Sequence, residues 1–312
     1  MFTKQFLKLF PPPLFLNIPY AGLDISDDAI HCVEYSKGVK SLKIHRLGMK
    51  KLEPGIVDSG IIKKEDELIK ILTSLVQELK IHTVKASLPE ERMYLFKTEV
   101  PNTNEDEIRQ NIEFKLDENV PLAPSDALFF FELFNNKNVK DKKYASVSVA
   151  PRDLINSYLK VIQGSGLEVL SFEIQPKAIA RAVLPLGSLD TQIIVYSTNN
   201  KVGIYIVCAG VVCFTSTITI TNDSDVNILK NELKKVYLYW NEYGEGKSIN
   251  KIILCGKDSV KNADNSSISP DPKIPIEVGN IWQNAFSTDH YIPSISFNDS
   301  LEYVIAAGLA LS

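Results

Sequence analysis

The 312-residue chain has few features that would point to metal, redox or nucleic-acid chemistry. Its four cysteines, Cys32, Cys208, Cys213 and Cys255, form no CxxC pair, and its four histidines are scattered. Zinc sites need closely spaced thiolates or imidazoles, so this spacing argues against metal and disulfide chemistry and for reduced, buried thiols. Charge is balanced to a formal net of −4 with no basic stripe, which argues against a nucleic-acid footprint. No apolar run approaches the roughly 20 residues of a spanning helix; the longest is Val202 to Phe214. At the N-terminus, Phe2, Phe6, Leu7 and Phe10 share one face of a short helical pattern opposite Lys4 and Lys8. Pro11-Pro12-Pro13 breaks it, too early for a signal sequence. This tail, residues 1–17, is expected to touch a membrane surface or a partner, or to stay loosely docked.

What the chain does have is a soluble globular composition, 45% hydrophobic and 23% charged, and an internal repeat. AGLDIS, AIHCVEYS and VKSLKIHRL read as three short strands with turns at Asp27-Asp28 and Lys37-Gly38. A helix follows in EDELIKILTSLVQELK, where Leu68, Leu72, Leu75 and Leu79 recur at helical spacing, and TVKASLP closes the unit. The order returns as TQIIVYST, KVGIYIVC and VVCFTSTITI, with turns at Asn199-Asn200 and Ala209-Gly210. A helix over 226–243 and the strand KIILCG then follow. Asp24 of the first copy precedes Tyr196 of the second by 172 residues. Strand-strand-strand-helix-strand, twice, is the order of the actin/Hsp70/hexokinase class, in which two ribonuclease-H-like lobes face each other across a cleft.

An α+β insert separates the copies. It comprises LFKTEVP, a helix capped by Asn104 with Glu107 three residues on, the strands ALFFFELF and YASVSVAP joined by NNKNVKDKK, a second helix RDLINSYLKVIQ ended by Gly164 and Gly166, and LEVLSFEI. The expected division is a tail (1–17), a first lobe (18–96), an inserted subdomain (97–172), a connecting segment (173–188) and a second lobe (189–312). Within the last, 262–273 reads as an exposed loop. The closing helix SLEYVIAAGLAL is expected to pack back on the second lobe.

Several segments resemble the type IV pilus assembly PilM family and its relative FtsA. Gly22-Leu23-Asp24-Ile25-Ser26 looks like the family's first phosphate loop, IEFKLDENVPL its insert helix, SGLEVLSFEIQPKAIARAV its connecting segment and AAGLAL its last helix. The resemblance implies an actin-like ATPase fold with ATP and Mg²⁺ in the cleft. It also implies capture of the N-terminal peptide of a PilN-like membrane protein between the first lobe and the insert. The implied setting is the inner face of the cytoplasmic membrane, held there through partners of the pilus platform or motor, with self-association left open.

The nucleotide residues depart from that pattern. Asp24 keeps the place of the metal aspartate, but Ser26 replaces a glycine and Asp27-Asp28 stand where small or hydroxyl residues face phosphates. His31 takes the place of a lysine, Tyr196 that of the second aspartate, and Thr198 that of a glycine. Only Gly256 remains of the adenosine loop; Glu232 matches a position near the ribose. Two carboxylates repel a triphosphate, with Lys201 and Lys257 the candidates for rescue. The expectation is an inactive, degenerate ATPase: no catalytic residue, no cofactor, and no metal unless Asp24 holds Mg·ATP. The remnant nucleotide positions are Asp24, Ser26, Thr198, Glu232 and Gly256. The strand residues Phe129, Phe130 and Phe131 put apolar side chains on both faces and are the candidate partner contacts. The alternatives are a working ATPase of the same family, or a division or secretion platform. FtsA adds an amphipathic membrane helix after its core and the type II secretion relative a transmembrane segment; neither is seen in this sequence. Gly164-Ser165-Gly166 lacks the strand-turn-helix context of a nucleophile elbow, and the N-x-S triplets at Asn222, Asn265 and Asn298 lack a secretory signal.

Overall fold

A computed structural model describes residues 18–38, 41–135, 143–198, 201–219, 226–244, 248–259 and 268–312. The N-terminal tail, the Asn199-Asn200 turn, nearly all of the 135–143 turn, part of the 262–273 loop, and Asn222 and Asn265 lie outside the described residues.

The first lobe begins with β1 (Ala21–Ile25), β2 (Ala29–Lys37) and β3 (Leu42–Lys51), an antiparallel run. The small hairpin of β4 (Val57–Asp58) and β5 (Ile61–Ile62) leads to α1 (Glu65–Leu79). Helix α1 opens on Glu65, Asp66 and Glu67, which suit the positive end of its dipole, and buries Leu68, Leu72 and Leu75 along one stripe. It returns the chain to β6 (Thr83–Leu88), which pairs parallel with β1.

The insert follows. Strand β7 (Tyr94–Val100), helix α2 (Glu105–Asn119), β8 (Ala127–Asn135) and β9 (Lys143–Pro151) form a three-stranded sheet in the order β7-β9-β8. Helix α2 covers it through Ile108, Ile112 and Leu116. As its sequence predicts, Asn104 caps α2, accepting the Glu107 N–H at 3.0 Å.

Helix α3 (Arg152–Gly164) and β10 (Glu168–Ile174) correct the expected boundary of the insert at 172. Strand β10 pairs parallel with β6 at the edge of the first-lobe sheet, whose order is β10-β6-β1-β2-β3. Tyr158, Val161 and Ile162 of α3 pack into the core beneath α1. The reason is topological: a parallel β6–β10 pair requires a helical crossover, and α3 is that crossover. Gly164 closes α3 and only Gly166, at φ +88°, lies beyond the helix end. Helix α4 (Gln175–Val183) then occupies the connecting segment.

The second lobe repeats the plan with β11 (Thr191–Thr198), β12 (Lys201–Cys208), β13 (Val211–Thr219), α5 (Val226–Tyr243), β14 (Ile249–Cys255) and β15 (Ile276–Val278). Its sheet order, β13-β12-β11-β14-β15, reproduces the first, antiparallel and parallel pairs alike. Register repeats as well: a shift of 172 residues carries the Asp24↔His31 pair onto Tyr196↔Gly203. Alternation sends Ile193 and Val195 toward α5 and Ile194 to the opposite face.

After the short α6 (Phe297–Ser300), helix α7 (Val304–Ala310) ends the chain. It packs on β1, β2 and β6 of the first lobe and against α4, which corrects the expected return to its own lobe. Conversely, α4 meets β13 of the second lobe and shares a buried core with Ile194, Val207 and Ile253. The two closing helices thus lie back to back between the sheets and join the lobes. Gly22 permits the approach of α7 to β1: a Cβ there would stand 2.0 Å from the Ala306 carbonyl oxygen. The result is an actin-like fold of two α/β lobes with an α+β insert.

Candidate functional site

The cleft lies where the β1–β2 and β11–β12 hairpins point at each other. Its first compartment is a cavity of about 100 Å³ whose lining includes Asp27, Glu90, Glu91, Tyr196, Lys201 and Thr217. A second, of about 290 Å³, is bounded by His31, Met49, Lys51, Leu52, Lys257 and Glu302 among others. Ser26, Asp28, Tyr196 and Thr198 line both. Ligand pockets run from about 300 to 1,000 Å³, so the first compartment falls well below that range and the second stands at its lower edge.

Asp24 is buried on β1 and lines neither cavity. One oxygen accepts the Ser87 hydroxyl at 2.6 Å and the Gln175 amide at 3.1 Å. Burial pushes its carboxyl up, with the two hydrogen bonds opposing. Tyr196 holds the matching place in the second lobe; burial drives its phenol far above its ordinary range, so it stays a neutral hydroxyl.

The turn carboxylates are engaged within the protein. Asp27 accepts the backbone N–H of Ser59 (3.1 Å) and Gly60 (3.0 Å) and pairs with Lys201 Nζ at 2.6 Å. Burial opposes its ionisation, but Lys201 and the two amides outweigh it and hold the carboxyl below its usual range. Lys201 also reaches Glu91 at 2.7 Å. Beside this pair, Glu90 accepts the Tyr205 hydroxyl and, at 2.9 Å, that of Thr217. Glu90 and Glu91 follow β6 of the first lobe; Lys201, Tyr205 and Thr217 belong to the second. These contacts therefore bridge the cleft.

Lys257 is paired with Glu302 at 3.1 Å. Glu302 Oε2 also lies 3.7 Å from His31 Nε2, too far for a hydrogen bond, and neither His31 nitrogen has a hydrogen-bond partner. The two rescue lysines thus both carry carboxylate partners. Ser26 donates its hydroxyl to the Ala29 carbonyl at 2.9 Å, a local hairpin bond. Gly256, at φ +90°, packs on the second turn, where a Cβ would meet the Ser197 carbonyl oxygen at 2.4 Å and the Tyr196 ring at 2.9 Å. Glu232 lines neither compartment; it pairs with Lys235 at 3.0 Å on the surface of α5. Of the remnant positions, the fold brings Ser26 and Thr198 to the cavities, buries Asp24 beneath them, uses Gly256 as a packing glycine and leaves Glu232 aside.

The phenylalanines of β8 divide by face. Phe129 and Phe131 lie toward α2, with the Arg109 guanidinium 5.1 and 5.7 Å from their ring centres. Phe130 points the other way, with the Lys177 ammonium of α4 5.7 Å from its ring. Lys177 also pairs with Glu132 of β8 (3.0 Å) and Glu173 of β10 (3.2 Å). The same insert sheet meets the second lobe, where buried Ser146 donates to the Val212 carbonyl at 2.6 Å.

Glu90, Glu91, Gln175, Tyr205 and Thr217 were not singled out by the sequence. Their partners lie 110 to 151 residues away, and no local spacing encodes such a pairing. A Glu-Glu pair directly after a buried strand was the one available signal.

Among the described residues no helix is long and apolar enough to cross a membrane, and no cluster of His, Cys, Asp and Glu is arranged to hold a metal. No curated protein matches the sequence. Solved structures share the architecture. One is described as the PilM-PilN type IV pilus biogenesis complex, with a TM-score of 0.79 and 16% identity over 94% of this chain and 98% of that one. Ethanolamine utilization protein EutJ from Carboxydothermus hydrogenoformans follows with a TM-score of 0.52 and 14% identity, covering 95% and 90%. The cytoplasmic domain of EpsL, from the type II secretion system of Vibrio cholerae, gives 0.50 and 10% identity, covering 92% and 94%. A family model, type IV pilus assembly protein PilM, matches residues 22–226, about two thirds of the sequence, and the chain therefore belongs to the PilM family of type IV pilus assembly proteins.

Proposed function

We propose that this chain is a nucleotide-independent adaptor of the type IV pilus platform, working at the cytoplasmic face of the inner membrane. The observation that carries the reading is the cross-cleft ion pair of Lys201 with Asp27 and Glu91. It puts protein carboxylates and their counter-cation where the family's resemblance implies phosphates. A hydrated Mg²⁺ does not fit this cleft. The one surviving aspartate, Asp24, is satisfied by Ser87 and Gln175, and the opposing position offers the neutral phenol of Tyr196. Phosphoryl transfer needs metal and positioned nucleophile together, so hydrolysis has no support from these residues.

Adaptor work requires a surface, and the seam between the insert and α4 is the candidate. Phe130, Lys177 and Glu132 offer an apolar ring flanked by both charges, suited to an extended peptide with alternating apolar and polar residues. The relative solved in a PilM-PilN complex supports a PilN-like membrane protein as the source of that peptide. Other platform or motor proteins would then be recruited through it.

Calorimetric titration of the full chain with Mg·ATP, and in parallel with a synthetic PilN-type N-terminal peptide, tests both parts. The expected result is no heat with Mg·ATP and saturable peptide binding that weakens at least tenfold in Phe130→Ala. Stoichiometric Mg·ATP binding overturns nucleotide independence and makes the chain a nucleotide-gated member of its family. Unchanged peptide affinity in Phe130→Ala overturns the proposed seam.

A further inference from the structure

Strand β1 runs from an open groove at Tyr20 to the cleft at Ser26. The groove holds about 930 Å³, more than either cleft compartment, and shares no residue with the seam at Phe130 and Lys177. Its walls include Tyr35 of β2, Leu42 of β3, Leu170 of β10 and Leu311 after α7, with Ile18 and Tyr20 where the chain enters β1. Ile18 is 58% exposed and Leu170 39%, so large apolar side chains face water here. The entry point itself is fixed. The Tyr20 hydroxyl donates to the Ser312 carbonyl, and Lys85 of β6 donates to the same oxygen at 2.7 Å. The Lys85 ammonium also stands 4.2 Å from the centre of the Tyr20 ring.

The sequence says what arrives at that point. Leu14-Phe15-Leu16-Asn17 directly precedes Ile18 and carries three large apolar side chains and no charge. Four residues reach at most about 14 Å, and a groove of about 930 Å³ is roughly 10 Å across, so the segment needs no linker. A tether this short gives an effective concentration in the millimolar range, about a thousandfold above a second copy at micromolar concentration. A contact too weak to hold a free peptide is therefore still made within one chain.

Charge selects the same four residues. The groove carries Lys37, His45, Arg46 and Lys85, and its carboxylate, Glu34, is already paired with Arg46. That rim repels Lys4 and Lys8 of the earlier Phe2–Phe10 stretch but not Leu14 to Asn17. Pro11-Pro12-Pro13 separates the two, and proline runs hold their flanking segments apart.

We infer that this groove is the docking site of Leu14-Phe15-Leu16 of the same chain. Docking covers the apolar walls and presents the Phe2–Phe10 stretch, with its lysines, at the end of the first lobe away from the cleft.

Photo-cross-linking on the full chain tests this, with Phe15 replaced by benzoylphenylalanine, the protein at about 1 μM and the adducts mapped by mass spectrometry. The expected product has monomer mass and joins position 15 to the segments around Leu42, Leu170 or Leu311. Leu170→Glu changes an exposed side chain and should lower that yield at least fivefold. Leu170→Ala should lower it in the same sense, a readout that survives if the glutamate variant does not fold. Leu186→Glu, at a residue 78% exposed and outside the groove, should leave it unchanged. An adduct of dimer mass would give the groove to a second copy and overturn the assignment. Adducts mapped to the cleft or to the Phe130 seam, no adduct at all, or yields equal in wild type and both Leu170 variants overturn it as well.

Discussion

Gly308 of α7 lies against the Ala178 carbonyl of α4 so closely that a Cβ at Gly308 would stand 1.8 Å from that oxygen. The two helices that join the lobes therefore cross backbone to backbone. On helix propensity alone, alanine at an interior position is better than glycine by about 1 kcal/mol. Here the clash is with backbone on the facing helix, which cannot rotate away. Overpacking typically costs about 1–3 kcal/mol, and a clash with unyielding backbone belongs at the upper end, so it outweighs the propensity gain. Gly308→Ala is expected to lower the urea midpoint with an unchanged slope; an unchanged or raised midpoint would contradict the crossing.

Asp24 makes a second prediction, because its environment favours a neutral side chain. An asparagine in its place still accepts from Ser87 and Gln175 and carries no buried charge. Its raised carboxyl value makes the wild-type contribution strongest below the unfolded value and progressively lost as pH rises. Asp24→Asn should therefore stabilise the protein by about 1 kcal/mol at pH 8, with the gain shrinking toward pH 4. Thermal melts across that range check the sign, and a destabilised variant at pH 8 would show that the ionised carboxylate has work to do there.

Glu302 behaves in the opposite sense. The His31 ring 3.7 Å away, a charge contact and not a hydrogen bond, and then the Lys257 ammonium hold its carboxyl down at about 2, against the pull of partial burial. Its contribution is present above its unfolded value of 4.5 and fades as pH falls toward about 2. Lys257 is 44% exposed, so solvent screening reduces the pair to about 1 kcal/mol at pH 7. Urea denaturation of Glu302→Gln should show that loss in full at pH 7, about half of it or less at pH 3, and almost none only well below pH 2. Equal losses at the two values would assign Glu302 a role other than its charge.

The elements themselves were legible in the sequence because each reports its own burial. The 3.6-residue spacing of Leu68, Leu72 and Leu75 specifies α1, Asn104 with Glu107 marks the start of α2, and the near-continuous apolar runs AGLDI and QIIV mark the central strands β1 and β11. The 172-residue repeat makes the paired lobes legible in the sequence alone, since both copies must bury the same faces in the same order. The equivalence of Asp24 and Tyr196, one in each lobe, was legible for the same reason.

Partnership between elements was not legible. A periodic helix states which face it buries but not against what, so α3 and β10 read as insert until the β6–β10 pairing claimed them, and α7 read as part of the second lobe. Phe129, Phe130 and Phe131 read as alternating, yet only packing decided that Arg109 covers two of them and Lys177 faces the third. The ion pairs of Lys201 and the hydroxyls on Glu90 join residues more than a hundred positions apart. A charge in the sequence carries no record of its counter-charge; tertiary closure chooses it, because only closure removes the water that would otherwise solvate both. Sequence periodicity determined the strands, helices and their duplication, which are local burial patterns, and the tertiary structure alone decided what fills the cleft.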